Sequence, residues 1–187
     1  KIQKAVEEDH KIILLPESVI PLYLNESATV VERLKKLSKG RTIIVGSLYK
    51  EENEHFNSSY FFQNREMQIA HKVYLVPFGE TTDFLPRALG EFVNGLFYDG
   101  AKDYKTATKA KDFEIEKSVF RNAICYEATV EEHYQGDFTY MLALSNQAWY
   151  HPSIEPALQH MVMKYLARKY HKIVFHSVNL GRSEIIY

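Results

Sequence analysis

Short apolar runs bounded by polar residues alternate along this chain with stretches of helical periodicity. Ile12 to Leu15 carries no polar interruption, the pattern of a fully buried strand. Thr42 to Leu48 predicts the next strand, with Gly46 as a point of close backbone approach. Asn57 to Gln63 and Met67 to Leu75 predict adjacent strands joined by a turn around Asn64-Arg65. Phe113 to Ile115 and Val119 to Cys125 predict a second hairpin, turning near Glu116-Lys117. Tyr140 to Leu144, Ile173 to His176 and Glu184 to Tyr187 read as further strands.

The helical stretches fall between these runs. Lys1 to Asp9 is amphipathic, with Ile2, Ala5 and Val6 on its apolar side. Glu26 to Lys39 places Val30, Val31, Leu34 and Leu37 on one face and meets a stop at Gly40. Thr129 to Tyr134 predicts a short helix. Pro156 to Lys169 predicts a longer one whose Leu158, Met161, Val162, Tyr165 and Leu166 are expected in the core. Strands alternating with helices imply an α/β layered architecture.

Between Pro77 and Lys111 the pattern breaks. Pro77, Pro86, Gly79, Gly90, Gly95 and Gly100 punctuate an apolar set that includes Phe84, Leu85, Phe92, Phe97 and Tyr98. Two readings stand side by side: a short helix packed on the core, or an apolar flap over a site near Lys72. The chain opens inside a helix and closes in a strand. The expectation is therefore the central part of a single domain over residues 1–187, truncated at both ends and belonging to a longer protein.

Charge and composition narrow the chemistry. With 23 basic and 24 acidic residues the net charge is -1, which gives no electrostatic basis for a nucleic-acid partner. The 13 tyrosines and 11 phenylalanines are expected mainly as core, Trp149 included as core or wall packing. The 8 histidines are scattered without a ligand spacing, so no metal site and no cofactor are predicted. The single cysteine, Cys125, cannot form an intrachain disulfide.

A lone thiol at the end of a buried strand is either filler or a nucleophile. Glu17 follows the run Ile12 to Pro16, and Lys72 begins the run Lys72 to Pro77. A carboxylate near a thiol takes its proton. An ammonium, helped by the backbone N–H of Tyr126, stabilises the oxyanion formed when sulfur adds to a carbonyl. Residue types alone leave both readings of Cys125 open.

The segments around these residues add a resemblance. Leu15-Pro16-Glu17-Ser18, the string His71 to Glu80 (His-Lys-Val-Tyr-Leu-Val-Pro-Phe-Gly-Glu) and Ile124-Cys125-Tyr126-Glu127 resemble the nitrilase (carbon–nitrogen hydrolase) superfamily. The closest likeness is to its apolipoprotein N-acyltransferase branch. Asn57-Ser58, the string Ser145 to Tyr150, Ser153-Ile154 and Gln159-His160 resemble further segments of that branch. The branch usually has aspartate where Gln147 stands, and asparagine where Leu180 stands.

The resemblance implies a nitrilase-like αββα sandwich and a Glu-Lys-Cys triad at Glu17, Lys72 and Cys125. It implies Glu80 as an auxiliary carboxylate, Tyr126 and Glu127 as pocket-shaping residues, and Asn57 as a supporting one. The implied reaction moves an acyl chain from a membrane phospholipid, through a thioester, to the amine of an apolipoprotein's diacylglyceryl cysteine. It further implies membrane helices elsewhere in the parent protein, with the catalytic domain on the periplasmic face of a bacterial inner membrane. The alternative is a soluble amidase of the superfamily, using the same triad with water as the second nucleophile.

Overall fold

A computed structural model describes residues 2–76, 80, 104–150 and 152–187, with Trp149 and Tyr150 described by their backbone only. Two β-sheets lie face to face, and helices cover both outer surfaces. The first sheet holds β1 (Ile12–Leu14), β2 (Ile20–Tyr23), β3 (Thr42–Glu51), β4 (Glu54–Gln63) and β5 (Glu66–His71). β1 and β2 both run parallel to β3, one after the other along its length, while β3, β4 and β5 form an antiparallel meander.

The second sheet holds β6 (Asp112–Ile115), β7 (Ser118–Ile124), β8 (Tyr140–Asn146), β9 (Ile173–Asn179) and β10 (Glu184–Ile186). Its order is β10-β9-β8-β7-β6, with β7, β8 and β9 parallel and the two edge strands antiparallel. The two hairpin turns expected at Asn64-Arg65 and Glu116-Lys117 are both present. All four of those residues adopt positive φ, which suits two-residue hairpin connections.

Three apolar clusters hold the layers. Ile44, Phe61 and Ala70 from the first sheet meet Phe113, Ile115, Phe120, Leu142 and Leu144 from the second. The outer face of the first sheet is covered by α1 (Ile2–Glu7) and α2 (Ala28–Leu37), the latter burying Val31 and Leu34 as its periodicity predicts. The outer face of the second sheet is covered by α3 (Glu155–Lys169) through Met163, Leu166 and Ala167. Each such side chain, fully buried, contributes on the order of 1.5–3 kcal/mol before entropy costs. The αββα order of layers is that expected.

Several boundaries differ from the pattern reading. β2 has no counterpart in it, because its burial is partial and its residues lack a clean alternation. The expected strand Met67 to Leu75 ends at His71, so Lys72 follows a strand instead of opening one. The strand toward Cys125 ends at Ile124, and the expected helix at Thr129 to Tyr134 is two 3-10 turns, Cys125–Thr129 and Glu131–Tyr134.

The largest correction concerns α3. Its expected core face is outside: Leu158 is 51% exposed, Met161 64% and Tyr165 62%, and only Leu166 of that set is buried. Apolar residues lie on almost every side of this helix, so periodicity alone does not choose a stripe. The inward stripe carries Gln159, Met163, Leu166 and Ala167. The Pro77–Lys111 segment, with its flap and helix readings, lies mostly outside the described residues.

Candidate active site

The strand ends converge on one buried polar cluster. β1 continues pairing past its last residue, with the Leu15 N–H donating to Ile44 O at 2.9 Å and the Gly46 N–H to Pro16 O at 3.3 Å. This lays Glu17 against Gly46. A Cβ at Gly46 would stand 2.5 Å from Glu17 Cα, so only glycine permits the approach. Ser18 then turns the chain away at φ +50°. The Glu17 carboxylate, in a residue 6% exposed, accepts from Asn57 Nδ2 at 2.7 Å and from the Asn146 N–H at 2.9 Å.

Lys72 sits one residue past β5, where its N–H donates to Asn57 O at 2.9 Å. Its side chain is fully buried, and Nζ lies 2.7 Å from Glu80 Oε2. Glu80 also accepts from Asn57 Nδ2 at 2.8 Å and from the Val76 N–H at 2.9 Å. One amide group, that of Asn57, therefore bridges both carboxylates.

Cys125 follows β7 and opens its turn at φ +54°, a conformation few residues with a side chain adopt. The same left-handed backbone closes ordinary turns of this chain, as at Asn64 and Glu116, and here it turns the chain sharply off the end of β7. Glu127 braces the turn, accepting from the Ile124 N–H at 2.7 Å and the Val73 N–H at 2.6 Å. That carboxylate ties the Cys125 turn to the residue after Lys72. Tyr126 is 40% exposed. Trp149 lies in the turn Gln147–Tyr150, and its side chain is outside the described residues.

Each charge feels the others. Burial raises the Glu17 pKa, against the pull of Lys72 and the Asn57 hydrogen bond. Burial works to deprotonate Lys72, but the Glu80 and Glu17 carboxylates outweigh it and the ammonium persists. The Cys125 thiol is pushed up to about 12, first by burial and then by Glu17, with Lys72 opposing. At neutral pH the cluster thus holds a protonated thiol, a lysine cation and a carboxylate with raised proton affinity. Such a set suits proton transfer coupled to attack on a carbonyl.

The structure thus gathers Glu17, Lys72, Cys125, Glu80, Glu127 and Asn57, all singled out from sequence. Two more residues enter the site. The Asn146 N–H holds Glu17, and Gln159 Nε2 lies 3.9 Å from Cys125 Sγ. Both occur in the segments that carry the resemblance, which was the available signal. Their contacts depend on packing between layers and left no local pattern.

No family model matches the chain. In sequence it is 44% identical over 187 residues, its whole length, to an apolipoprotein N-acyltransferase of Wolinella succinogenes. It is 39% identical over 191 residues, 99% of the chain, to that of Helicobacter hepaticus, and 37% over 188 residues, 100% of the chain, to that of Helicobacter pylori. The chain matches a segment of the apolipoprotein N-acyltransferases.

It spans about half the length of these curated relatives, 45%, 47% and 44% in turn. Among solved structures, a CN-hydrolase superfamily protein from Xanthomonas campestris superposes with a TM-score of 0.73 at 15% identity, over 98% of this chain and 74% of that one. An amidase from Nesterenkonia superposes with a TM-score of 0.69 at 11% identity, over 98% and 72%. The fold is that of the nitrilase superfamily. Among the described residues no helix is long and apolar enough to cross a membrane.

Proposed function

We propose that this chain is the acyl-transferring part of an apolipoprotein N-acyltransferase, with Cys125 as nucleophile, Glu17 as proton carrier and Lys72 as the cation facing the oxyanion. The observation that carries this reading is the buried chain of contacts Glu17–Asn57–Glu80–Lys72, whose charges act on the sole cysteine. The 44% identity over the whole chain to an apolipoprotein N-acyltransferase supports an apolipoprotein as acceptor.

In the first half-reaction Cys125 Sγ attacks the ester carbonyl of a phospholipid while Glu17 takes the thiol proton. This order follows from the thiol's high proton affinity: attack and deprotonation occur together. The carbonyl oxygen becomes negative, and Lys72, whose Nζ is engaged by Glu80 on one side, stabilises it. The ester C–O bond breaks, Glu17 returns the proton to the leaving lysophospholipid, and a thioester remains. In the second half-reaction the α-amine of an apolipoprotein's diacylglyceryl cysteine attacks the thioester. Glu17 accepts the amine proton and delivers it to the departing sulfur.

Glu80 and Asn57 hold Lys72 and Glu17 in place, and Glu127 holds the Cys125 turn. The apolipoprotein acceptor draws on the relatives' name; the phospholipid donor and a periplasmic position at a bacterial inner membrane draw on the resemblance, and all three belong to the whole protein. Hydrolysis of a small amide by the same residues is the second reading, and it draws on the fold-level likeness to amidases. The acceptor separates the two. Given a pre-formed acyl thioester on Cys125, the acyl-transfer reading expects the acyl group on a lipopeptide amine, whereas release only as free acid favours hydrolysis.

A further inference from the structure

We propose that Gln159 is a positioning residue that holds an amide N–H on the Cys125 sulfur, and that Gln147 sets which end of that amide faces it. The proposal rests on the reading of Cys125 as nucleophile.

Gln159 stands among apolar residues on the inward stripe of α3, with Met163, Leu166 and Ala167 following it at helical spacing. A glutamine only 4% exposed in such a stripe needs partners for its amide. It has two. Its Nε2 lies 3.9 Å from Cys125 Sγ, and its Oε1 accepts from Gln147 Nε2 at 3.3 Å. Gln147 Oε1 lies against Gly181, where a Cβ would stand 2.1 Å away, so the absence of a side chain there leaves room for the Gln147 amide. The turn after β8 thus meets one end of the Gln159 amide and the turn after β7 the other.

The chemistry follows from the two ends of that amide. One end accepts and the other donates. Gln147 donates to the carbonyl of Gln159, so the NH2 end turns to the sulfur. A donor there favours thiolate over thiol, alongside Lys72 and against burial, Glu17 and Glu80. It acts twice in the proposed reaction: as the thiol loses its proton, and as the thiolate is expelled from the thioester. An aspartate at position 147 could only accept when ionised. It would draw the NH2 of Gln159 to itself and turn the carbonyl toward sulfur.

The test is the rate of Cys125 alkylation by iodoacetamide across about pH 6 to 9, read by intact mass. Cys125 is the only thiol in the chain, so every adduct reports on it. Gln159→Leu keeps the volume and removes the donor. Its alkylation rate is expected to fall about tenfold at each pH, the effect of one hydrogen bond to a charged group, equal to a displacement of about one pH unit.

Gln147→Asp leaves Gln159 in place and is expected to slow alkylation in the same direction. Adding Gln147→Asp to Gln159→Leu is expected to slow it much less than Gln147→Asp does alone. A purely packing role for Gln159 lowers Tm without moving the pH profile. Wild-type alkylation profiles in folded Gln159→Leu, or in Gln147→Asp should the first variant fail to fold, overturn the proposal. Alkylation needs no acyl donor. A protein that alkylates with these shifts yet never forms an acyl adduct sinks the acyl-transfer reading and leaves the role of Gln159 standing.

Discussion

Two regions of this molecule are equally dry and opposite in character. Between the sheets, Ile44, Phe61, Leu142 and Leu144 are at most 1% exposed and entirely apolar. At the strand ends, Lys72 is 0% exposed, Glu127 1% and Glu17 6%, and all are ionisable. Burying apolar side chains stabilises the fold. Burying charge costs several kcal/mol per ion unless partners compensate, and even a compensated pair is seldom better than a well-packed apolar one. The interlayer core therefore explains why the sandwich stands. The polar cluster is better explained by what it does to a carbonyl, and the contrast predicts that substitutions will separate stability from activity.

The largest separation is expected at the sulfur. Cys125→Ala removes the nucleophile, and acyl adduct should fall to background while the melting temperature changes little. Lys72→Met comes next. Loss of a positive donor to an oxyanion is expected to lower turnover about 10²–10³-fold. Near-normal turnover in that variant contradicts the role given to Lys72.

In the apolar region the signs reverse. Phe61→Ala is expected to cost about 3–5 kcal/mol in denaturant unfolding, since Phe61 stacks on Phe113 with ring centroids 4.4 Å apart. The Cys125 alkylation rate of the remaining folded protein should stay near wild type. A Phe61→Ala protein of unchanged stability would break the contrast.

A smaller effect is a pH dependence of stability carried by Glu17. Its folded pKa lies above the ordinary 4.5, chiefly through burial. The folded state therefore binds the proton more tightly than the unfolded chain does. That contribution is fully present below pH 4.5 and is lost as pH rises through the folded pKa. Glu17→Gln is expected to flatten this slope while abolishing activity. The smallest effect is at the outer face of α3, where Met161→Ser should change stability by about 0.5 kcal/mol or less.

The contrast also explains what was legible in the chain. α2 covers only apolar sheet, and its single stripe, Val31 and Leu34 above all, reads directly from a 3.6-residue period. α3 covers sheet and borders the polar cluster. Its inward stripe includes Gln159, and apolar residues also line its outward side, so hydrophobicity did not single out the buried face. Glu17 and Cys125 were visible because each punctuates a buried run. Lys72 was visible as a residue but misplaced, because Val73 to Val76 prolong the apolar run beyond the point where pairing stops. The bridge from Asn57 to two carboxylates, one 40 and the other 23 positions away, left no periodic trace. Pairing of whole strands created it.

The most direct measurement is intact mass of the protein after incubation with a phospholipid, followed by a lipopeptide bearing a free α-amine. Convergence of Glu17, Lys72 and Cys125 into one reacting centre predicts a mass increase of one acyl chain on Cys125. It also predicts discharge of that acyl chain to the amine, and no adduct in Cys125→Ala. An unmodified Cys125 after exposure to donor, in protein whose thiol still alkylates, would contradict it.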